Sequence, residues 1–146
     1  MPIIPIYRQE IPVRPDHLDG MNHVNNVHYV QWMQDIAVEH SVANGWYPDR
    51  YLATGTAWFA RRHTVDYTHP AVLGDTLIAE TWITEMKNVS CLRRYRFLRQ
   101  SDLREIALAE TKWAFVNLAT GRPMKILPEL MASFVATTAG NEAPAQ

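Results

Sequence analysis

The chain has 146 residues, of which 47% are apolar and 10% are aromatic, values typical of a single compact domain with one sizeable core. Its 14 Lys and Arg residues nearly balance 15 Asp and Glu residues, giving a net charge of −1 with neutral histidines. This balance provides no overall positive field, so we expect no nucleic-acid partner and no membrane partner. The single cysteine, Cys91, excludes an internal disulfide and a cysteine-built metal site, and we expect no metal.

We expect neither a membrane-spanning helix nor a signal peptide. A membrane-spanning helix needs about 20 consecutive apolar residues, and no such run is present. The start is too short and too often broken by proline to form the apolar part of a signal peptide. We therefore expect a cytoplasmic protein with one domain over residues 1–135. Residues 136–146 are small and polar and contain Gly and Pro, a composition typical of a flexible tail.

The first predicted elements are a short strand and a long helix. Residues 7–13 are rich in β-forming types and predict the strand. From Asn26 onward, apolar residues recur at intervals of three and four, which predicts an amphipathic helix. Asn25 or Asn26 suits its N-cap, and Gly45 suits the first position beyond its C-terminus. The following segment, through Thr56, contains Gly, Pro and Asp and is expected to connect the helix to the next strand.

Four further strands are predicted after this connection. They are residues 58–67, 76–85, 90–99 and 105–118, separated by short polar turns. Short gaps favour antiparallel pairing between consecutive strands. A sheet of about five strands must bury one face, and the long helix is available to cover it, so we predict an α+β fold in which one helix packs against a curved sheet. Residues 126–134, with Pro128 near their start, predict a short C-terminal helix.

The residues best suited to catalysis lie around the start of the long helix. A helix N-terminus presents unpaired backbone N–H groups and a partial positive charge, so it can polarise a carbonyl group. Asp19 and His23 precede this N-terminus closely in the sequence. A carboxylate beside such a terminus can serve as the nucleophile or the general base in acyl transfer.

Purely structural interpretations of the same residues remain open. Asp19 and Gly20 are also typical of a turn, and Asn25 and Asn26 of a helix cap. Spacing alone does not separate the two interpretations. A metal site built from the neighbouring histidines is a weaker alternative, because the chain has no HExxH pattern.

Residues 19–32 resemble the active-site signature of hotdog-fold acyl thioesterases of the 4-hydroxybenzoyl-CoA thioesterase type. In that signature an Asp, a turn rich in Asn and His, and Asn-Asn-x-x-Tyr lead into the central helix, as they do here from Asp19 to Tyr29. The motif His-Val-Asn-Asn-Val-x-Tyr over residues 23–29 is also similar to the corresponding segment of plant acyl-ACP thioesterases. Residues 65–75 and 109–123 fit the same family, so the resemblance extends from about residue 7 to residue 134.

The resemblance implies a hotdog fold, in which an antiparallel sheet wraps the long helix, and a homodimer that associates to a tetramer. It implies that Asp19 is the nucleophile or general base, that the backbone N–H of Asn26 polarises the thioester carbonyl, and that His23 accompanies Asp19. The implied activity is hydrolysis of an acyl-CoA to a free acid and a thiol. Coenzyme A is then part of the substrate, and no cofactor is expected. An acyl-ACP substrate is the alternative.

The sequence departs from this pattern, and two other functions stay open. Plant enzymes carry an Asn two residues after the Asp, where this chain has Met21; we expect Asn22 to take a polar role at the substrate instead. A hotdog enoyl-thioester hydratase usually has Asp-x-Asn-Pro-x-His, but here Asp19 and His23 are one residue closer and no proline intervenes. A noncatalytic protein that binds acyl thioesters on the same scaffold is the second alternative.

The acyl group is expected to lie between the long helix and the partner subunit, against Tyr29, Trp32, Met33 and Trp58. Large aromatic side chains shorten a pocket, which favours small, medium or aromatic acyl groups. Aromatic residues at helical spacing are also typical of a core, so this alternative remains open.

The phosphates of coenzyme A require local positive charge in a chain that is nearly neutral overall. We expect Arg61, Arg94 and Arg96 to supply it, and the alternation of a strand places Arg94 and Arg96 on one face. Each arginine has an alternative role on a solvated face or in an ion pair with acidic residues such as Glu80 and Glu110. The full set of candidates is Arg61, Arg62, Lys87, Arg93, Arg94, Arg96, Arg99 and Arg122.

Overall fold

The structure is a computed structural model that describes residues 2–138. Within these residues the helices and strands follow one another in the order β1 (Ile6–Pro12), α1 (Asn26–Ala43), α2 (Pro48–Thr54), β2 (Thr56–Tyr67), β3 (Thr76–Lys87), β4 (Ser90–Arg99), β5 (Glu105–Asn117) and α3 (Pro128–Met131). A single turn of 3-10 helix, Pro15–His17, precedes α1.

The five strands form one antiparallel sheet in the order β1-β3-β4-β5-β2. Each strand predicted from the sequence is present, and the register places Thr81 opposite Tyr95 and Tyr95 opposite Ala109. The expectation that consecutive strands pair is wrong for β2 and β3. They are consecutive in the chain, yet β4 and β5 lie between them, because the chain between β2 and β3 crosses from one side of the sheet to the other.

Helix α1 packs its apolar face on the concave side of this sheet. The residues buried on that face recur every three or four positions: Tyr29, Trp32, Met33, Ile36, Ala37 and His40. Alternate residues of the central strands meet them, with Leu77, Tyr95 and Phe97 in the same apolar cluster. The side chain of Asn25 caps the helix by accepting the Val27 N–H at 3.2 Å. The central helix and the wrapped sheet are therefore as predicted.

The connection after α1 contains a helix that the sequence patterns do not predict. Pro48–Thr54 forms helix α2, which begins with a proline at its first turn and ends at Gly55 with a φ of 69°. Trp46, just before α2, is fully buried in a second apolar cluster with Phe115 and Leu130. The predicted C-terminal helix is also shorter than expected and spans Pro128–Met131.

The domain continues past residue 135. Ala136 forms a parallel bridge with Ile83, and the Thr137 N–H donates to the Ile83 carbonyl at 2.8 Å. The rest of the predicted flexible tail, residues 139–146, lies outside the described residues.

Candidate active site

The loop before α1 holds the Asp19 carboxylate in a defined position. Its Oδ1 accepts the backbone N–H of Met21 at 2.8 Å and that of His23 at 3.1 Å. The chain turns back on itself here, since the Asp19 N–H donates to the His23 carbonyl at 2.7 Å and Asn22 has a φ of 64°. No other partner of this carboxylate is present between residues 2 and 138. The second oxygen, Oδ2, is therefore available to a water molecule or a substrate.

This loop is tied to the rest of the fold at both ends. Leu18 bridges Val24, and His23 bridges Val72 in the segment between β2 and β3. The Val24 N–H donates to the Ala71 carbonyl at 2.9 Å. These contacts fix the carboxylate relative to the sheet, which preorganises it before a substrate binds.

The first N–H group of α1 belongs to Asn26. The Asn25 side chain takes the next N–H along the helix, that of Val27, and leaves the Asn26 N–H unbonded within the described part of the chain. Tyr67 of β2 donates its hydroxyl hydrogen to the Asn26 carbonyl at 3.1 Å and so holds the start of the helix beside the sheet. Asn26 is exposed, so an open donor lies at the positive end of the helix dipole.

A shallow depression of about 490 Å³ begins at this helix start. It runs along the exposed side of α1, past Val27, Val30 and Gln34, and His63 of β2 forms part of its wall. The His63 ring is held by Thr111, with 2.8 Å between Nδ1 and Oγ1.

A deeper apolar cavity of about 360 Å³ lies farther along α1. Gln34 borders both spaces, so the two are neighbours along the helix. The cavity lies between α1, α2 and the sheet, and its wall includes Val38, Trp46, Trp58 and Phe134. Of the described residues that line it, Arg93 alone carries a charge.

Hydrogen bonds stiffen one side of this cavity. The Trp58 Nε1–H donates to the Tyr51 hydroxyl at 3.1 Å. That hydroxyl lies 2.9 Å from Ser41 Oγ, which itself donates to the Trp46 carbonyl at 2.8 Å. Burial raises the pKa of Tyr51, so this phenol stays neutral. The linked side chains give the cavity a fixed wall.

Comparison with known proteins decides the family, because the model of the thioesterase-like superfamily matches residues 13–134. The chain belongs to this superfamily. It is 24% identical to the long-chain acyl-CoA thioesterase FadM of Escherichia coli (strain K12) over 124 residues, 83% of this chain and 91% of the relative. Membership identifies the protein as a thioester hydrolase.

Two solved thioesterases share the fold. A 1,4-dihydroxy-2-naphthoyl-CoA thioesterase from Synechocystis superimposes with a TM-score of 0.79 at 18% identity, over 88% of this chain and 93% of the other. A DHNA-CoA thioesterase from Staphylococcus aureus gives a TM-score of 0.80 at 14% identity, over 88% and 87% of the two chains. The predicted hotdog fold is thus confirmed.

Within this fold, the structure brings three of the expected site residues together. Asp19, Asn22 and His23 share the loop, and the side chains of Asn22 and His23 are exposed. The link between His23 and Asp19 runs through the His23 backbone N–H rather than through its imidazole. Trp58 borders the apolar cavity.

Three residues expected beside the acyl group lie elsewhere, and this is a correction. Met33 is fully buried, Tyr29 is 3% exposed and Trp32 is 8% exposed, and the rings of Tyr29 and Trp32 pack against Phe97 of β4. None of the three borders the depression or the cavity. Their spacing along α1 places them on the face that meets the sheet, so they belong to the core.

The three arginines expected to bind phosphate differ in their exposure and in their ion-pair partners. Arg96 is 9% exposed, and its guanidinium contacts the Glu80 carboxylate at 2.8 and 2.9 Å; the structure therefore argues against a phosphate at Arg96. Arg94 is more exposed and pairs with Glu110 at 3.2 Å. Arg61 is exposed on β2.

His17 and His28, two of the histidines near the helix start, pack against each other. The rings of His17 and His28 lie 5.1 Å apart, and His17 also meets Trp32 edge-on. Burial lowers the pKa of His17. Across residues 2–138 no cluster of His, Cys, Asp and Glu is arranged to hold a metal ion. Nor does any helix of that part have the length and apolar character needed to cross a membrane.

Sequence reasoning missed the residues that shape the cavity. No helix is predicted after α1, although Pro48 and Gly55 are typical start and stop signals for the short helix α2, which contributes Tyr51. Gln34 and His63 carry no recognisable motif, since only the packing of α1 beside β2 brings them together.

Proposed function

We propose that the protein is an acyl-CoA thioesterase that uses Asp19 and the backbone N–H of Asn26. The observation that carries this proposal is a fixed carboxylate with one oxygen available, in the loop that leads directly to an open helix N-terminus. The names of the FadM relative and of the two solved thioesterases support coenzyme A as the carrier, in preference to ACP.

In this mechanism the thioester carbonyl oxygen accepts the Asn26 N–H. The helix dipole and this donor then stabilise the negative charge that develops on the oxygen as the carbonyl carbon becomes tetrahedral. Asp19 either removes a proton from an attacking water molecule or attacks the carbonyl carbon itself. The C–S bond breaks, and the thiolate takes up a proton to leave as free coenzyme A. Water supplies the new oxygen of the acid in both routes, at once or in the hydrolysis of the acyl-aspartate.

His23 and Asn22 are proposed to act at the entrance of the site. Their exposed side chains can contact the pantetheine arm or a water molecule while the His23 backbone positions Asp19. We therefore expect His23→Ala to reduce turnover less than Asp19→Asn does.

Phosphate binding is proposed for Arg61. It is exposed on the same strand as His63, which borders the depression next to Asn26. Arg94 is a second candidate, because a partly exposed ion pair contributes little and can exchange Glu110 for a phosphate.

A homodimer is proposed on the free edge of β2, with tetramers formed by further association. β2 ends the sheet, and within residues 2–138 β5 is its only neighbour. Its side chains include Phe59 and Tyr67, which are largely exposed in one copy of the chain. Pairing of two β2 edges would join the sheets and satisfy the open backbone groups.

The test is a thiol-release screen over acyl-CoAs of varied chain length, with wild type, Asp19→Asn and the control Asp16→Asn. Asp16 is an exposed acid in the same region that pairs with Arg14, so the control makes the same chemical change away from the site. We expect Asp19→Asn to lose most turnover and Asp16→Asn to retain it. Hydration of crotonyl-CoA, or tight acyl-CoA binding without thiol release by wild type, would replace the proposal with one of its two alternatives.

A further inference from the structure

Arg93 is an unusual member of the apolar cavity wall. It lies on β4 and points to the side of the sheet that α1 covers, where it is only 5% exposed. A buried charge is costly unless an opposite charge or several hydrogen bonds stabilise it. The nature of its partners therefore decides what this arginine can do.

Both hydrogen-bond partners of Arg93 are neutral. Its Nη1 donates to His40 Nδ1 at 2.8 Å and to Thr81 Oγ1 at 3.1 Å. His40 Nε2 lies 2.6 Å from the Ile4 carbonyl, so the ring carries its hydrogen there and offers a lone pair to Arg93. Burial and the charge of Arg93 lower the pKa of His40 to about 4. The imidazole is therefore uncharged at neutral pH.

The other titratable groups facing Arg93 are neutral as well. Burial raises the pKa of the Cys91 thiol to about 12 and raises the pKa of the Tyr51 and Tyr95 phenols. Through residues 2–138, no carboxylate lies within ion-pair distance of Arg93. By contrast, Arg94 and Arg96 of the same strand each have a glutamate.

We propose that the cavity binds the distal end of an acyl chain that carries a carboxylate, with Arg93 as its counter-charge. The substrate class is then the coenzyme A monothioester of a dicarboxylic acid. This inference rests on the thioesterase function proposed above and adds to it the chemistry of the acyl group. The apolar wall takes the methylene chain, and the arginine takes the terminal carboxylate in a charge-assisted hydrogen bond.

The distance along α1 sets the length of this chain. His40, which holds the guanidinium, is 14 residues after Asn26, and a helix rises 1.5 Å per residue, so the two are about 21 Å apart along the axis. An extended chain advances about 1.2 Å per bond, as the polypeptide backbone does with three bonds in roughly 3.6 Å. The span corresponds to roughly 17 bonds. This length exceeds the small, medium or aromatic groups expected from the sequence.

The test compares hexadecanedioyl-CoA with palmitoyl-CoA, which differ only at the far end of the chain. It uses wild type, Arg93→Met and the control Arg104→Met, which removes an exposed arginine that does not border the cavity. We expect wild type to favour the dicarboxylic substrate at least tenfold in kcat/KM. Arg93→Met should lose this preference while it retains its rate with palmitoyl-CoA, and Arg104→Met should behave as wild type.

Two results would overturn the inference. The first is a wild-type preference for palmitoyl-CoA. The second is an equal loss on both substrates in Arg93→Met, which would assign Arg93 a structural role through His40 and Thr81. If Arg93→Met does not fold, the wild-type preference and the variant Arg93→Lys decide the question. Arg93→Lys keeps the charge and should therefore keep the preference for hexadecanedioyl-CoA.

Binding of methyl esters separates this inference from the thioesterase proposal. Trp46, Trp58 and Trp113 border the cavity, so their fluorescence reports occupancy. Monomethyl hexadecanedioate keeps a single carboxylate at its far end, and methyl palmitate has none. The monomethyl ester should bind wild type at least tenfold more tightly than methyl palmitate does, and Arg93→Met should remove the difference. That result with no thiol release would reject only the hydrolase. Thiol release from palmitoyl-CoA with equal binding of the two esters would reject only the role of Arg93.

Discussion

Replacing Asn26 by proline removes the proposed carbonyl donor and little else. Proline lacks a backbone N–H and is favoured at the first position of a helix, where that group has no partner within the helix. Both α2 and α3 of this protein already carry proline in their first turn. The residue before a proline must be extended, and Asn25 is, with φ −64° and ψ 136°. The Asn25 cap to the Val27 N–H is also kept.

We expect this substitution to lower kcat and to leave the free energy of unfolding nearly unchanged. Removal of one preorganised donor to a developing oxyanion lowers kcat by about 10²–10³, or roughly 2.7–4 kcal/mol in the barrier. In this structure the Asn26 N–H is the donor at the helix tip that no described residue occupies, so the loss should reach this range. The free energy of unfolding should change little, because no intramolecular hydrogen bond is lost.

The assay is thiol release at saturating acyl-CoA, with urea unfolding of the same samples. Asn26→Ala is the matched control, since it changes the side chain and keeps the N–H; it should retain most of the activity. A folded Asn26→Pro variant that turns over at the wild-type rate would show that this amide does not polarise the carbonyl. Equal losses in Asn26→Pro and Asn26→Ala would transfer the role to the Asn26 side chain.

Two further predictions concern stability. The pKa of His40 is about 4 in the folded protein and 6.5 ordinarily, so below pH 6.5 the unfolded chain binds a proton that the folded chain does not bind. The free energy of unfolding should therefore fall by about 3 kcal/mol between pH 6.5 and pH 4. Urea unfolding of a His40→Gln variant should lack this component of the pH dependence. Gly55→Ala should lower the free energy of unfolding by about 1 kcal/mol, because Gly55 has a φ of 69°. The added carbon itself meets no neighbour within 4 Å, so the loss comes from the backbone conformation alone. Gly55→Asn should lower the free energy less, and equal stability of wild type and both variants would contradict the argument.

The parts of the fold that sequence reasoning found depend on local patterns. The start of α1 combines an apolar repeat with Asn25 as its cap, and both signals lie within a few residues of each other. The strand bounds follow from runs of β-forming residues between turns. Strand order does not follow, because the separation of β2 from β3 depends on which edges meet after the sheet has formed. The site loop was found through its family resemblance, since Asp19 also serves there as a turn residue.

The adjacent arginines of β4 show why the substrate pocket could not be read from the same patterns. Alternation along a strand correctly separates Arg93 from Arg94, but it does not say which face a helix covers. Arg94 meets Glu110 because β4 and β5 pair in that register, whereas Arg93 meets His40 because α1 covers the opposite face of the sheet. The lack of an acid beside Arg93 therefore depends on how α1, β4 and β5 pack together. For the same reason Tyr29 and Trp32 lie in the core and not in the predicted pocket, since α1 turns the face that carries them to the sheet.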